Sequence, residues 1–177
     1  IDEKNPMADA TLSEGIHINV VLPPLSLEGP VLSIKKSKLE TLTLDNLLKQ
    51  EFLSKEIAEI LSYAIKAKLN ILISGLSGSG KTTLLNSLGL MISNNERIIT
   101  IEDTPELKLQ KDNLVRLEVR TESNINAKDL IENALKMRPD RLILGQCKGA
   151  ETLELLQAMN TGLGGTLTTI YASSAKD

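Results

Sequence analysis

Leu69-Asn-Ile-Leu-Ile-Ser74, Gly75-Leu-Ser-Gly-Ser-Gly-Lys81-Thr82 and Thr83-Leu-Leu-Asn-Ser-Leu-Gly-Leu-Met-Ile92 follow one another without a break. The middle segment fits G-x-x-x-x-G-K-[ST], a loop whose glycines let backbone N–H groups turn inward around phosphate oxygens. Lys81 supplies a point charge for the outer phosphates of ATP, and Thr82 a hydroxyl for Mg²⁺. Ser77, Gly78, Ser79, Gly80, Lys81, Thr82 and Thr83 are therefore the candidate nucleotide-binding residues, with Thr82 the candidate metal ligand. The flanks give the motif its context. Leu69 to Ser74 is short, apolar and β-branched, which predicts a buried parallel strand. Leu84, Leu85, Leu88 and Met91 fall near helical spacing, so the loop aims a helix N-terminus and its dipole at the phosphates. A Gly/Ser linker matching by chance would lack both flanks.

The bulk properties narrow the alternatives. A 177-residue chain with 41% hydrophobic residues can bury a full core, and its length suits one domain with part of a second. Aromatic residues make up only 2%, leaving little to stack nucleobases along a single strand, and the net charge of −3 argues against a general DNA binder. No nucleic-acid partner is expected. One cysteine, Cys147, and one histidine, His17, cannot assemble a disulfide framework or a Cys/His zinc site. A reducing, cytoplasmic setting fits. No apolar run approaches the ~18 residues that span a bilayer, so any membrane role is expected to be peripheral.

Along the chain, Ile16 to Leu22 and Val31 to Lys35 read as strands separated by Pro23-Pro24 and Gly29-Pro30 turns. Residues 1–42 thus read as the edge of a small β-rich domain with its linker, and 43–177 as a second unit. Thr43 can cap a helix through Gln50. Ser54 can cap a longer one, in which Ile57, Ile60, Leu61, Ala64 and Ile65 form a stripe read as core. Beyond the glycine loop, strands at 97–102, 114–119, 141–144 and 165–171 alternate with helices at 127–137, capped by Asn126, and 151–161. That alternation predicts an α/β fold with a mostly parallel, helix-covered sheet.

A phosphate-loop site also needs acidic groups at neighbouring strand ends, to hold Mg²⁺ through water and to orient the attacking water. Glu102 and Asp103 close an apolar strand and are placed for this; the alternative is a solvated strand end.

Thr100-Ile-Glu-Asp-Thr-Pro-Glu-Leu107, Asn133-Ala-Leu-Lys-Met-Arg-Pro-Asp-Arg141 and Gln157-Ala-Met-Asn-Thr-Gly162, in that order after the loop, resemble the type II/type IV secretion ATPase superfamily. Within it the chain is most similar to the assembly ATPases of tight-adherence (Flp-type) pili. The resemblance runs from about Asp9 to the end and includes Asn19-Val-Val-Leu-Pro-Pro24. It implies a RecA-like P-loop motor domain after a small α+β N-terminal domain, assembled as a homo-hexamer with ATP at subunit boundaries. It also implies a cytoplasmic protein working at the inner face of the membrane with a pilus or secretion platform protein. Family members continue with further helices beyond the position of Tyr171, which points to a fragment, with a short paralogue as the alternative.

The departures carry information of their own. Where the family has Gly-Glu-Val-Arg-Gly, this chain has Gly145-Gln-Cys-Lys-Gly149, so Gln146 stands at an acidic position. A neutral amide neither accepts a proton from water nor attracts Mg²⁺ as a carboxylate does. The family's Ile-His-Ala-Asn-Ser is here Ile170-Tyr-Ala-Ser-Ser174, with Tyr171 at the histidine. His17 and Lys35 stand where relatives carry arginines that reach phosphate. Glu102, Asp103, Gln146 and Tyr171 are thus the candidate catalytic positions. Three readings follow: a motor ATPase, a nucleotide-binding assembly subunit with little turnover, and, less favoured by charge, a RecA-like DNA motor.

Overall fold

The computed structural model describes residues 1–2, 4–12, 16–36, 42–120 and 125–177. The chain divides into two compact units, Ile1–Glu40 and Thr41–Asp177. Residues 37–41, part of the linker expected ahead of residue 43, lie outside the described residues.

The first unit is a three-stranded antiparallel sheet in the order β1 (Met7–Leu12), β2 (Ile16–Val21), β3 (Val31–Lys36). Sequence reading finds the second and third strands and misses the first. Met7-Ala-Asp-Ala-Thr-Leu12 is poor in the β-branched and aromatic types that mark strands. It is held by pairing with β2, which also brings the Asn19 amide within 2.8 Å of Asp9 Oδ1. The β2–β3 register sets His17 opposite Lys35.

The second unit runs α1 (Leu44–Lys49), α2 (Lys55–Lys66), β4 (Ile71–Gly75), α3 (Lys81–Met91), β5 (Ile98–Glu102), β6 (Leu114–Glu118), α4 (Ala127–Lys136), β7 (Arg141–Cys147), α5 (Glu151–Asn160) and β8 (Leu167–Tyr171). The strands form one sheet in the order β4-β8-β7-β5-β6, and every pairing is parallel. Successive strand residues point to opposite faces, so the central strands feed two cores. Ile98 and Ile143 pack with Leu85, Leu88 and Ile65 on one face, whereas Ile99, Ile101, Leu142 and Leu144 pack with Ile131, Ala134 and Leu155 on the other. Burying each such side chain contributes about 1.5–3 kcal/mol.

Local sequence sets the helix starts as expected. Thr43 and Asn126 each close a reciprocal capping box, and the Ser54 hydroxyl accepts from the Ile57 N–H. Two expectations need correction. The strand before the glycine loop is parallel but not buried: among the described residues β4 pairs with β8 on one side only, and Leu72 is 60% exposed. On α2 Ala58 and Ile65 are buried and Leu61 and Ala64 partly so, while Ile57 and Ile60 of the expected stripe lie exposed. Adjacent residues on a helix are turned by about 100°, so at the start of α2 it is Ala58, and not its neighbour Ile57, that meets the core.

The Arg141 end of β7 is a structural anchor. Its side chain, 1% exposed, donates to Glu96 Oε2 from Nε at 2.7 Å and to the Ile65 carbonyl from Nη2 at 2.7 Å. Lys68 adds a second cation 3.1 Å from the same Glu96 oxygen. Burial alone would raise the Glu96 pKa, but the Arg141 and Lys68 partners outweigh it and hold the carboxyl below its usual range. Gly165 is required beside this cluster, since a Cβ there would lie 2.1 Å from Arg141 Nη1. No helix among the described residues is long and apolar enough to cross a membrane.

Candidate nucleotide site

Parallel strands bring all their carboxyl ends to one edge of the sheet, the edge where open α/β sheets bind ligands. That edge collects the glycine loop after β4, Tyr171 at the end of β8, Gln146 near the end of β7 and Glu102 at the end of β5. Four segments far apart in sequence thus converge because of strand order alone.

The loop has the backbone of a phosphate cradle. Gly78 at φ 75° and Gly80 at φ 90° occupy the left-handed region that side-chain-bearing residues avoid. Gly80 is also the N-cap of α3 and, having no side chain, places no cap of its own over the first N–H groups of that helix. Lys81 folds back across the loop and donates from Nζ to the Leu76 carbonyl at 2.7 Å. The β4–β8 register pairs Gly75 with Tyr171, which explains why the Tyr171 ring lies beneath the lysine, its centroid 5.9 Å from Nζ. Thr82 and Thr83 occupy the first turn of α3.

The acidic candidates differ in what they can do. Glu102 is 4% exposed, and its Oε2 accepts from the backbone N–H groups of Glu106 and Leu107, both at 2.8 Å. Arg116 Nη2 stands 3.8 Å from Oε1 and donates to the Leu107 carbonyl. One carboxylate oxygen is therefore spent on shaping the loop after β5. Gly145 makes room for this arrangement, since a Cβ there would come 3.1 Å from Glu102 Cγ. Burial raises the Glu102 pKa, and the Leu107 and Glu106 amides and Arg116 only partly counter it. Asp103 is exposed and forms an ion pair with Lys148 at 2.5 Å, tying the β5 end to the loop after β7. Sequence reasoning missed Arg116 and Lys148 because their partners lie on other strands.

Gln146 is half-buried at an irregularity of β7, where pairing with β8 shifts register between Leu144 and Cys147. Bulges of this kind re-aim side chains at strand ends. By strand order Gln146 stands two positions from β4 and Glu102 three, roughly 10 and 14 Å at the usual spacing. Tyr171 is on the adjacent strand.

A raised folded pKa means that Glu102 favours the folded state most when protonated. Its contribution is present below the unfolded value and lost as pH rises through the folded one. Glu102→Gln, which keeps an acceptor for the loop amides but cannot ionise, should therefore gain stability relative to the wild type as pH is raised from 4 to 8. Urea midpoints for both chains across that range check this, and a constant difference would contradict it.

The same chain matches the type II/IV secretion system protein family over residues 1–177. It belongs to that family. Among its relatives, an uncharacterized protein of Methanocaldococcus jannaschii is 41% identical over 94% of this chain and 25% of its own length. The type IV secretion system protein VirB11 of Bartonella quintana is 32% identical over 99% of this chain and 60% of its own length. Among solved structures, the VirB11 ATPase from the Brucella suis type IV secretion system, in complex with sulphate, superposes with a TM-score of 0.65 at 28% identity, covering 99% of this chain and 59% of that one. The chain thus spans between a quarter and three-fifths of the curated relatives named here.

Proposed function

We propose that this chain is the nucleotide-binding part of a secretion-type motor ATPase and binds Mg²⁺–ATP at residues 77–83. The observation that carries the reading is the loop between β4 and α3, with two glycines at positive φ, one of them the N-cap of α3, and Lys81 lying across it. The loop amides would cradle the inner phosphates, Lys81 would reach the outer ones, and the Thr82 hydroxyl would face Mg²⁺. Bound Mg²⁺ would supply charge neutralisation on the phosphates. Gln146 and Tyr171 stand next along the sheet edge, with Glu102 and Asp103 beyond them as the remaining carboxylates that could orient water. Sulphate in a VirB11 ATPase structure is in keeping with an oxyanion site in this fold.

The family supports a role in secretion, conjugation or pilus assembly, and the pilus-type boxes favour a Flp-type pilus motor. In that role the chain would work in a homo-hexamer on the cytoplasmic face of the inner membrane, against a platform protein. Gln146 favours a second reading, in which nucleotide holds subunits together and turns over slowly. Calorimetry with Mg²⁺–ATP tests the site and phosphate release separates the readings. Binding is expected, and its absence would overturn both.

A further inference from the structure

The chain has one Phe, two Tyr and no Trp, yet two of these three rings touch the glycine loop. Tyr171 lies at the Lys81 ammonium, and Phe52 lies on Gly80. A Cβ built on Gly80 would come 2.7 Å from Phe52 Cε2 and 2.7 Å from Cζ, with Cδ2 next at 3.9 Å. These atoms form one edge of the ring, so Phe52 meets the loop edge-on. The residue, the only phenylalanine of the chain, is 44% exposed, whereas the core is aliphatic.

The backbone around Phe52 is built to hold it there. At the end of α1 the Phe52 N–H bonds back to the Leu47 carbonyl and the Glu51 N–H to the Leu48 carbonyl, each at 3.0 Å, the paired pattern of a Schellman cap. Glu51 takes the left-handed conformation at φ 55° that this cap demands, although glycine would adopt it without strain. Leu47 is buried, and two residues after Phe52 the Ser54 cap starts α2. The ring is therefore pinned from both sides by helix ends within its own unit.

We propose that Phe52 recognises the base of the bound nucleotide, a purine packing against its part-exposed ring. This rests on the nucleotide reading of the loop. Lys81, which serves the outer phosphates, reaches back toward Leu76 and Tyr171, marking that side as the outer-phosphate end. Gly80 begins α3, whose first amides serve the inner phosphates, so the nucleoside leaves the cradle beside Phe52. A flat, apolar, part-exposed ring held beside the loop suits a heteroaromatic base better than any other part of the ligand.

Calorimetry on the full chain with Mg²⁺, comparing ADP with inorganic tripolyphosphate, tests the proposal. Phe52→Ala is expected to weaken ADP roughly 5- to 100-fold, the range for losing one base–aromatic stack, and to leave tripolyphosphate within about twofold. Phe52→Leu, which keeps apolar contact with the loop, should show the same selective loss, and it decides the matter if the alanine chain does not fold. Equal losses for both ligands would mean that the ring only props the loop and would overturn the proposal, as would unchanged ADP affinity. A wild-type chain that binds tripolyphosphate but not ADP would overturn base recognition while sparing the phosphate loop. One that binds neither would remove the nucleotide reading and this inference with it.

Discussion

Lys81→Ala is expected to abolish Mg²⁺–ATP binding while leaving the fold in place. Without ligand, the lysine head makes one hydrogen bond to the Leu76 carbonyl and stands over the Tyr171 ring. Those contacts are worth about 1 kcal/mol and 0.5–1 kcal/mol at a partly exposed site, small beside the 5–15 kcal/mol that typically holds a domain folded. The bound state loses far more. Removing the cation from a charge-assisted phosphate contact costs about 2–5 kcal/mol, or roughly 30- to several thousand-fold in affinity. Tyr171 cannot compensate, because its ring offers no positive charge. Calorimetry beside a thermal melt separates binding from folding. Equal affinity in the two chains would refute the assignment of the loop.

Much of the geometry of this candidate site was legible because the phosphate-loop motif is local in sequence. Strand, glycines, lysine, threonine and helix are contiguous, and Gly80, which the motif requires, stands at positive φ, as does Gly78 at one of its variable positions. Helix starts were legible for the same reason: Thr43, Ser54 and Asn126 act on amides three residues away. What failed depends on neighbours distant in sequence. Nothing within Leu69 to Ser74 says that β4 pairs on one side only. Nothing in Glu102-Asp103 says that one carboxylate is buried against loop amides while the next reaches Lys148. Phe52 is the clearest case. Its sequence context is a polar helix end, and only the packing of the α1–α2 turn against Gly80 brings it to the loop. Likewise, β1 carries no strand pattern of its own and exists by pairing.

Gln146→Glu is expected to raise ATP turnover on the order of 10²-fold, the scale of restoring one well-placed electrostatic group in a phosphoryl-transfer site. The geometry favours this position over the other candidates. Glu102 is a strand further from the loop, and one of its oxygens is committed to the Glu106 and Leu107 amides. Asp103 is engaged with Lys148. Gln146 sits at the β7 irregularity, closer by one strand, with a side chain isosteric with glutamate. A carboxylate there would add a negative charge where the proposed site has to order water and metal, without a change of shape. Tyr171→His should recover less, because its ring acts on Lys81 and leaves the water side of the site unchanged. The two gains need not add, since groups that share one transition state act as a unit. Phosphate release should be measured on this chain and on a full-length VirB11-type relative into which residues 43–177 are grafted, so that subunit contacts are present in one arm. Unchanged turnover in the grafted Gln146→Glu protein, with ATP still bound, would show that the amide is not what limits hydrolysis.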